Sequence, residues 1–114
     1  MRQNFRKDYF NGVTKKIQEY HDSIIVLLDP DTGIAPDTDS YKLVAFHEIK
    51  IVLRAMKVGD LLLFYQHARL GDRNWLNSVT EEFRQAVGPR VLFETITCKT
   101  IAHDVAFFMV KRNT

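Results

Sequence analysis

Three short stretches carry the side chains of this sequence best suited to chemistry. They are Asp29-Pro30-Asp31-Thr32-Gly33, then Gln66-His67 with Arg69 just beyond, and finally His103-Asp104. Imidazole and carboxylate together suit a divalent metal, although no His-x-x-x-His pair supports one. His67 and Asp29 could instead work as an acid–base pair, since an unperturbed histidine titrates near pH ~6.5. The plainer account is structural. Aspartates beside a proline bond the local backbone of a turn, and a histidine at a strand end is satisfied by a loop. On that account no metal or cofactor is expected.

The elements that position these residues follow from apolar spacing. Phe5, Tyr9, Val13, Ile17 and Tyr20 recur every three or four residues and predict a helical face, against the local preference of Asn11-Gly12 for a turn. Ile24–Leu28 is an unbroken, β-branched-rich run that suits a strand covered on both faces, and Asp29-Pro30 stops it. Residues 34–41 read as loop. Ala45, Ile49, Val52, Leu53 and Met56 then share one face of a helix over about 42–57, closed by Lys57-Val58-Gly59-Asp60. Leu61–Tyr65 is a second buried strand ending at Gln66-His67. Trp75, Val79, Phe83 and Val87 mark a third helix, capped by Asn74 and ended by Gly88-Pro89. Val91–Cys98 and Val105–Val110 are strand-like and too close together for a crossover helix, so they are expected to be antiparallel.

Composition narrows the function classes. A chain of 114 residues, 46% apolar and 26% charged, fits one globular α/β domain over 1–114. No apolar run is long enough to span a bilayer, and Met1–Lys7 lacks a secretory block. The single cysteine, Cys98, cannot close an internal disulfide, so a cytoplasmic protein is expected, with Cys98 buried and inert. The net charge of +2 does not by itself argue for nucleic acid. Arg2, Arg6, Lys7, Lys15 and Lys16 against Asp8 make the first helix basic; such a face could meet the phosphates of a nucleic acid, but a solvated helix face explains it as well. Asp29, Asp31, Asp37 and Asp39 make the following loop acidic. Trp75 is expected in the core, and Arg69 and Arg73 are expected to meet solvent.

Two resemblances follow. Leu27-Leu28-Asp29-Pro30-Asp31-Thr32-Gly33 resembles the Asp-Pro-Pro-Tyr-type motif of amino-methylating class I methyltransferases. Lys57-Val58-Gly59-Asp60 ahead of Leu61–Tyr65 resembles the next helix-to-strand join of that fold. Across residues 22–112 the element order is similar to the fold's C-terminal half. The half whose Gly-rich turn holds S-adenosylmethionine has no counterpart, and Asp31 and Thr32 stand where the motif has its second proline and its aromatic. The resemblance therefore implies a remnant that acts as a binding or interaction module without its own catalysis. Pro30-Asp31 with Glu48-Ile49-Lys50 also resembles the PD-(D/E)xK nucleases. That implies a metal-dependent nuclease or hydrolase using Asp29, Asp31, Glu48, Lys50 and His67. It requires Glu48 and Lys50 on one face, as in a strand; on a helix they diverge by about 200°.

The expected architecture is a three-layer α/β domain with a four-stranded mixed sheet, two strands parallel and then an antiparallel pair. The last strand is inserted beside the second, which leaves the first at an edge. Ligands of such sheets sit at the carboxyl ends of the parallel strands. Asp29, Asp31, Thr32, Gln66, His67, Arg69, His103 and Asp104 are thus the expected rim cleft. A bare apolar edge must be covered or paired, so either the first helix covers it or two copies meet there as a homodimer.

Overall fold

The computed structural model describes residues 2–113, with side chains from Phe5 onward. Its elements are α1 (Arg2–Glu19), β1 (Ile25–Leu28), β2 (Gly33–Ala35), β3 (Leu43–Ala45), α2 (Phe46–Ala55), β4 (Leu61–His67), α3 (Trp75–Val87), β5 (Glu94–Cys98) and β6 (Ala102–Lys111). β1 and β4 pair in parallel, Ile25 opposite Leu61 and Leu28 opposite Phe64. β6 runs antiparallel between β4 and β5, giving the order β1-β4-β6-β5 with β1 at an edge. The short β5–β6 connection thus makes the expected hairpin. β2 and β3 correct the expected loop and the expected start of the second helix. Ile34 and Val44 pair across them and are both buried, so the chain stays extended there and α2 begins only at Phe46.

The sheet has helices on one face only, so the fold has two layers rather than three. Along β4 the side chains of Leu62, Phe64 and Gln66 are buried, opposite Val110, Phe108 and Ala106 of β6. These face Ile49, Val52 and Leu53 of α2 and Val79, Phe83 and Val87 of α3. Phe83 stacks on Phe108 at 4.6 Å between ring centroids and meets Phe93 edge-on at 4.9 Å. The alternate residues, Leu61, Leu63 and Tyr65 with Met109 and Phe107, stand outside this core. The reason is topological. Both crossovers, β1 to β4 through α2 and β4 to β5 through α3, step the same way across the sheet. Right-handed connections in one direction put their helices on one face.

α1 packs against α2 with Val13 and Ile17 of the expected stripe but without Phe5, Tyr9 and Tyr20. Its buried line is Phe10 and Ile17, with Val13 and Arg6 partly buried, whereas Phe5, Tyr9 and Tyr20 are 73%, 61% and 50% exposed. Gly12 does not interrupt the helix. Arg6 sets the rotation. Its guanidinium forms a fork with the buried Glu48 carboxylate, Nε to Oε2 at 2.9 Å and Nη2 to Oε1. It also donates to the carbonyls of Ser40 (2.7 Å) and Leu43 (2.9 Å). Glu48 in turn accepts the Ala45 N–H at 2.8 Å, which holds the first turn of α2.

Asp60 does comparable work at the opposite end of the sheet. Fully buried, it accepts from the N–H groups of Ile24 (3.0 Å) and Lys57 (2.9 Å) and from the Lys57 ammonium (2.9 Å). Burial pushes its carboxyl upward, but the bonds from Lys57 and Ile24 outweigh this and hold it below the usual aspartate range. A native carboxyl held low adds stability that is complete above the unfolded value near pH ~4. That stability is lost as pH falls through the native value. Asp60→Asn is therefore expected to lower the melting temperature at neutral pH by about 5–10 °C. It should also flatten the acid limb of the stability curve in circular dichroism melts. At the other hub, Glu48→Ala leaves Arg6 buried and unpaired and is expected to cost about 3 kcal/mol in urea unfolding.

Candidate functional site

The rim at the carboxyl ends of β1 and β4 is built around a glutamine. Gln66 ends the buried row of β4, where the alternation points its amide at the loop that follows β1. Its Oε1 accepts the Ile34 N–H at 3.0 Å, and its Nε2 donates to the carbonyls of Thr32 (3.2 Å) and His67 (2.8 Å). The amide lies flat on the backbone of Gly33, where a Cβ would fall 2.2 Å from Nε2, and Gly33 has φ +133°. The glycine of Asp-Pro-Asp-Thr-Gly is thus required both by its own dihedral and by the glutamine above it. Arg69 completes the clamp, donating to the Ile34 carbonyl at 2.9 Å and pairing with Glu82 of α3. This corrects the expectation that Arg69 meets only solvent.

The rim residues divide into two groups. Thr32, Gln66 and Arg69 converge, but on backbone and on each other's segments, so they hold the loop rather than a ligand. His67, His103 and Asp104 share one end of the β4–β6 ladder, where Ala68 N–H bonds the Asp104 carbonyl at 2.8 Å. The His67 ring packs edge-on against Tyr65 at 4.6 Å, and His103 and Asp104 are exposed. Asp29 and Asp31 are exposed as well, and their carboxylates bond no described residue. The local turn chemistry expected of them falls instead to Asp37, which accepts the Thr38 N–H at 2.9 Å. Among the described residues no three of His, Cys, Asp and Glu gather as metal ligands. The nuclease set is likewise not assembled. Phe46–Ala55 is helical, Glu48 is occupied by Arg6, and Lys50 points to solvent.

Two smaller expectations also change. Cys98 is exposed on β5, its Sγ 3.8 Å from the Thr100 hydroxyl, because the outer strand of the sheet carries no cover. Asn74 precedes α3, but its side chain makes no cap bond; Asp72 accepts the Asn74 N–H at 2.9 Å. Trp75 packs partly buried against the core. On the basic helix, Arg6 is withdrawn into the Glu48 pair and Lys16 lies 3.4 Å from Glu19. Lys7 and Lys15 are exposed, and the Arg2 side chain lies outside the described residues.

What the residue-by-residue reading missed is a groove. Between α1, the outer side of β1 and residues 39–44 lies a cavity of about 630 Å³. Phe5, Tyr9 and Phe10 form one wall, Leu27, Leu28 and Pro30 the other, and Tyr41 and Leu43 close it. Asp29 and Asp39 stand on its rim, and Arg6, which lines it as well, is paired with Glu48. The signal was present in the spacing of Phe5 and Tyr9, one turn apart, but a helical stripe of aromatics reads as core. Among the described residues no strand pairs with the outer edge of β1, and Ile25 and Leu27 remain 63% and 56% exposed.

No family model, curated protein or solved structure matches the chain. Among the described residues no helix is long and apolar enough to cross a membrane.

The clamp gives a direct test of why the motif ends in glycine. Gly33→Ala is expected to destabilise by about 2–4 kcal/mol, through dihedral strain and the clash with Gln66. In the Gly33→Ala/Gln66→Ala double variant the clash disappears while the strain stays. The two losses should therefore add to less than their sum by at least about 0.5 kcal/mol in urea unfolding.

Proposed function

We propose that this chain is an interaction module on a methyltransferase-like half-fold, and that its partner is a second copy docked on the open face of the sheet. The observation that carries this reading is the composition of that face. Ile25 and Leu27 of β1, Leu61, Leu63 and Tyr65 of β4, Val105, Phe107 and Met109 of β6, and Ile96 of β5 share it by strand register. No helix packs against them. Parallel strands otherwise occur almost only with both faces covered.

Four strands at ~4.8 Å spacing and ~3.3 Å rise give this surface a footprint of roughly 400 Å². Apolar patches of that scale mark interaction sites. Its charged residues, Lys111 and Glu94, stand on its margin, so two copies can lie face to face without burying an ion. Sheet-on-sheet packing at about 10 Å is a standard way to bury such faces. The methyltransferase-like part of the reading is supported by the strand order β1-β4-β6-β5, with the antiparallel last strand inserted as the resemblance implies. The face offers more apolar surface than the β1 edge, so self-association is placed there rather than at the edge.

Light scattering behind size exclusion, at high micromolar concentration, is expected to give twice the chain mass. Leu63→Lys combined with Phe107→Lys should return it to the single-chain mass while leaving the circular dichroism spectrum unchanged, because neither side chain belongs to the core. A wild-type chain that stays monomeric and leaves a solvatochromic apolar dye dark would defeat the reading.

A further inference from the structure

We infer that the β1 edge and the groove beside it form a receptor for an extended peptide, added as a further strand, with apolar residues at alternate positions and a Lys or Arg beside Asp29. This surface adjoins the open face along β1, where Ile25 and Leu27 give their side chains to that face and their main-chain groups to the edge.

The hydrogen-bonding side follows from the ladder. The Leu61 N–H bonds the Ile24 carbonyl at 3.0 Å, so Ile24 faces β4. Strand alternation turns Val26 and Leu28 the same way and turns the N–H and C=O groups of Ile25 and Leu27 outward. β1 has no neighbour on that side. Two donors and two acceptors are thus presented in strand geometry to any chain that lies along them. This is the main-chain half of recognition by strand addition.

The side-chain half is the groove. A strand laid on β1 sends every second side chain toward the helical side of the sheet, where the groove opens between β1 and α1. Phe5, Tyr9 and Tyr41 line it and are 73%, 61% and 83% exposed, and partly buried Leu28 lines it with them. A cavity of about 630 Å³ accepts more than one large apolar side chain.

Charge chooses the partner. The groove ends, beside the last residues of β1, on the Asp29 carboxylate. The Asp29 carboxylate at the end of β1 is exposed and bonds no described residue, and exposed Asp31 follows it two positions on. A basic residue placed beyond the last apolar position of the bound strand meets this pair of carboxylates. An acidic peptide meets repulsion.

Selection of a phage-displayed random dodecapeptide library on the immobilised protein tests the inference. Enriched peptides are expected to show alternating apolar residues with a Lys or Arg toward one end. A fluorescein-labelled copy of the strongest should lose at least tenfold in affinity against Asp29→Lys or Tyr9→Ala by anisotropy. It should lose as much when the N–H groups facing β1 are N-methylated, a change that leaves the protein untouched. No enrichment would overturn the inference, as would acidic or helix-forming winners or binding that survives N-methylation. Self-association abolished by Asp29→Lys would assign the edge to a second copy and overturn it as well.

Discussion

The pair between Arg6 and Glu48 determines where every surface of this molecule lies. Glu48 holds the N-terminus of α2 through the Ala45 N–H, and Arg6 ties α1 both to that carboxylate and to the carbonyls of Ser40 and Leu43. One guanidinium therefore joins three segments that no strand ladder joins. A buried pair of this kind gives little net stability relative to a well-packed apolar substitute, because both ions are desolvated. Its contribution is to geometry. By claiming the side of α1 that faces α2, it rotates Phe5 and Tyr9 away from the core and toward β1, and the groove is the result.

The second constraint is the contact between Gln66 and Gly33. It explains why a sequence with an Asp-Pro-x-x-Gly stretch need not use its aspartates for catalysis. The Gln66 amide meets three backbone groups and leaves no buried polar side-chain atom unsatisfied in the described residues. A satisfied amide on a glycine is rigid and chemically quiet. Arg69 and Glu82 extend the clamp to α3, so the loop after β1 is fixed from the far side of the sheet. Asp29 and Asp31 on that loop stay exposed, with Asp29 on the lining of the groove.

Much of the fold was legible because it depends on local pattern. The runs Ile25–Leu28 and Leu61–Tyr65, the stripe of Ile49, Val52 and Leu53, and the short β5–β6 gap each determine an element without reference to the rest. What the sequence concealed depends on contacts between distant residues. Arg6 and Glu48 are forty-two positions apart, Ile34 and Gln66 thirty-two, and nothing in either neighbourhood marks the partner. The first half of the α1 stripe was misplaced by one position for the same reason, while Val13 and Ile17 lie where expected. Phe5 and Tyr9 are more apolar than Arg6, and only the buried carboxylate across the interface reverses their order. The layer count was misjudged because Ile25, Leu27, Leu61 and Leu63 read as covered on both faces, and in hydrophobicity they are.

That last discrepancy carries a physical argument about function. Residues that alternate in burial along β4 do not alternate in hydrophobicity: Leu61 and Leu63 are as apolar as Leu62, and Tyr65 follows Phe64. A strand with one solvated face places polar residues on that face, since nothing is gained by exposing leucine there. β5, on the far side of the sheet, follows that rule only with Glu94, since Ile96 stands on the same face and Thr95, opposite Phe108, lies on the core side. β1 and β4, with the facing residues of β6, do not. The departure runs through β1, β4 and β6 and reaches Ile96 of β5, and the groove opens beside the β1 edge. The sequence is therefore written for a sheet that is covered on this side, and association is the condition under which its apolar pattern and its fold agree.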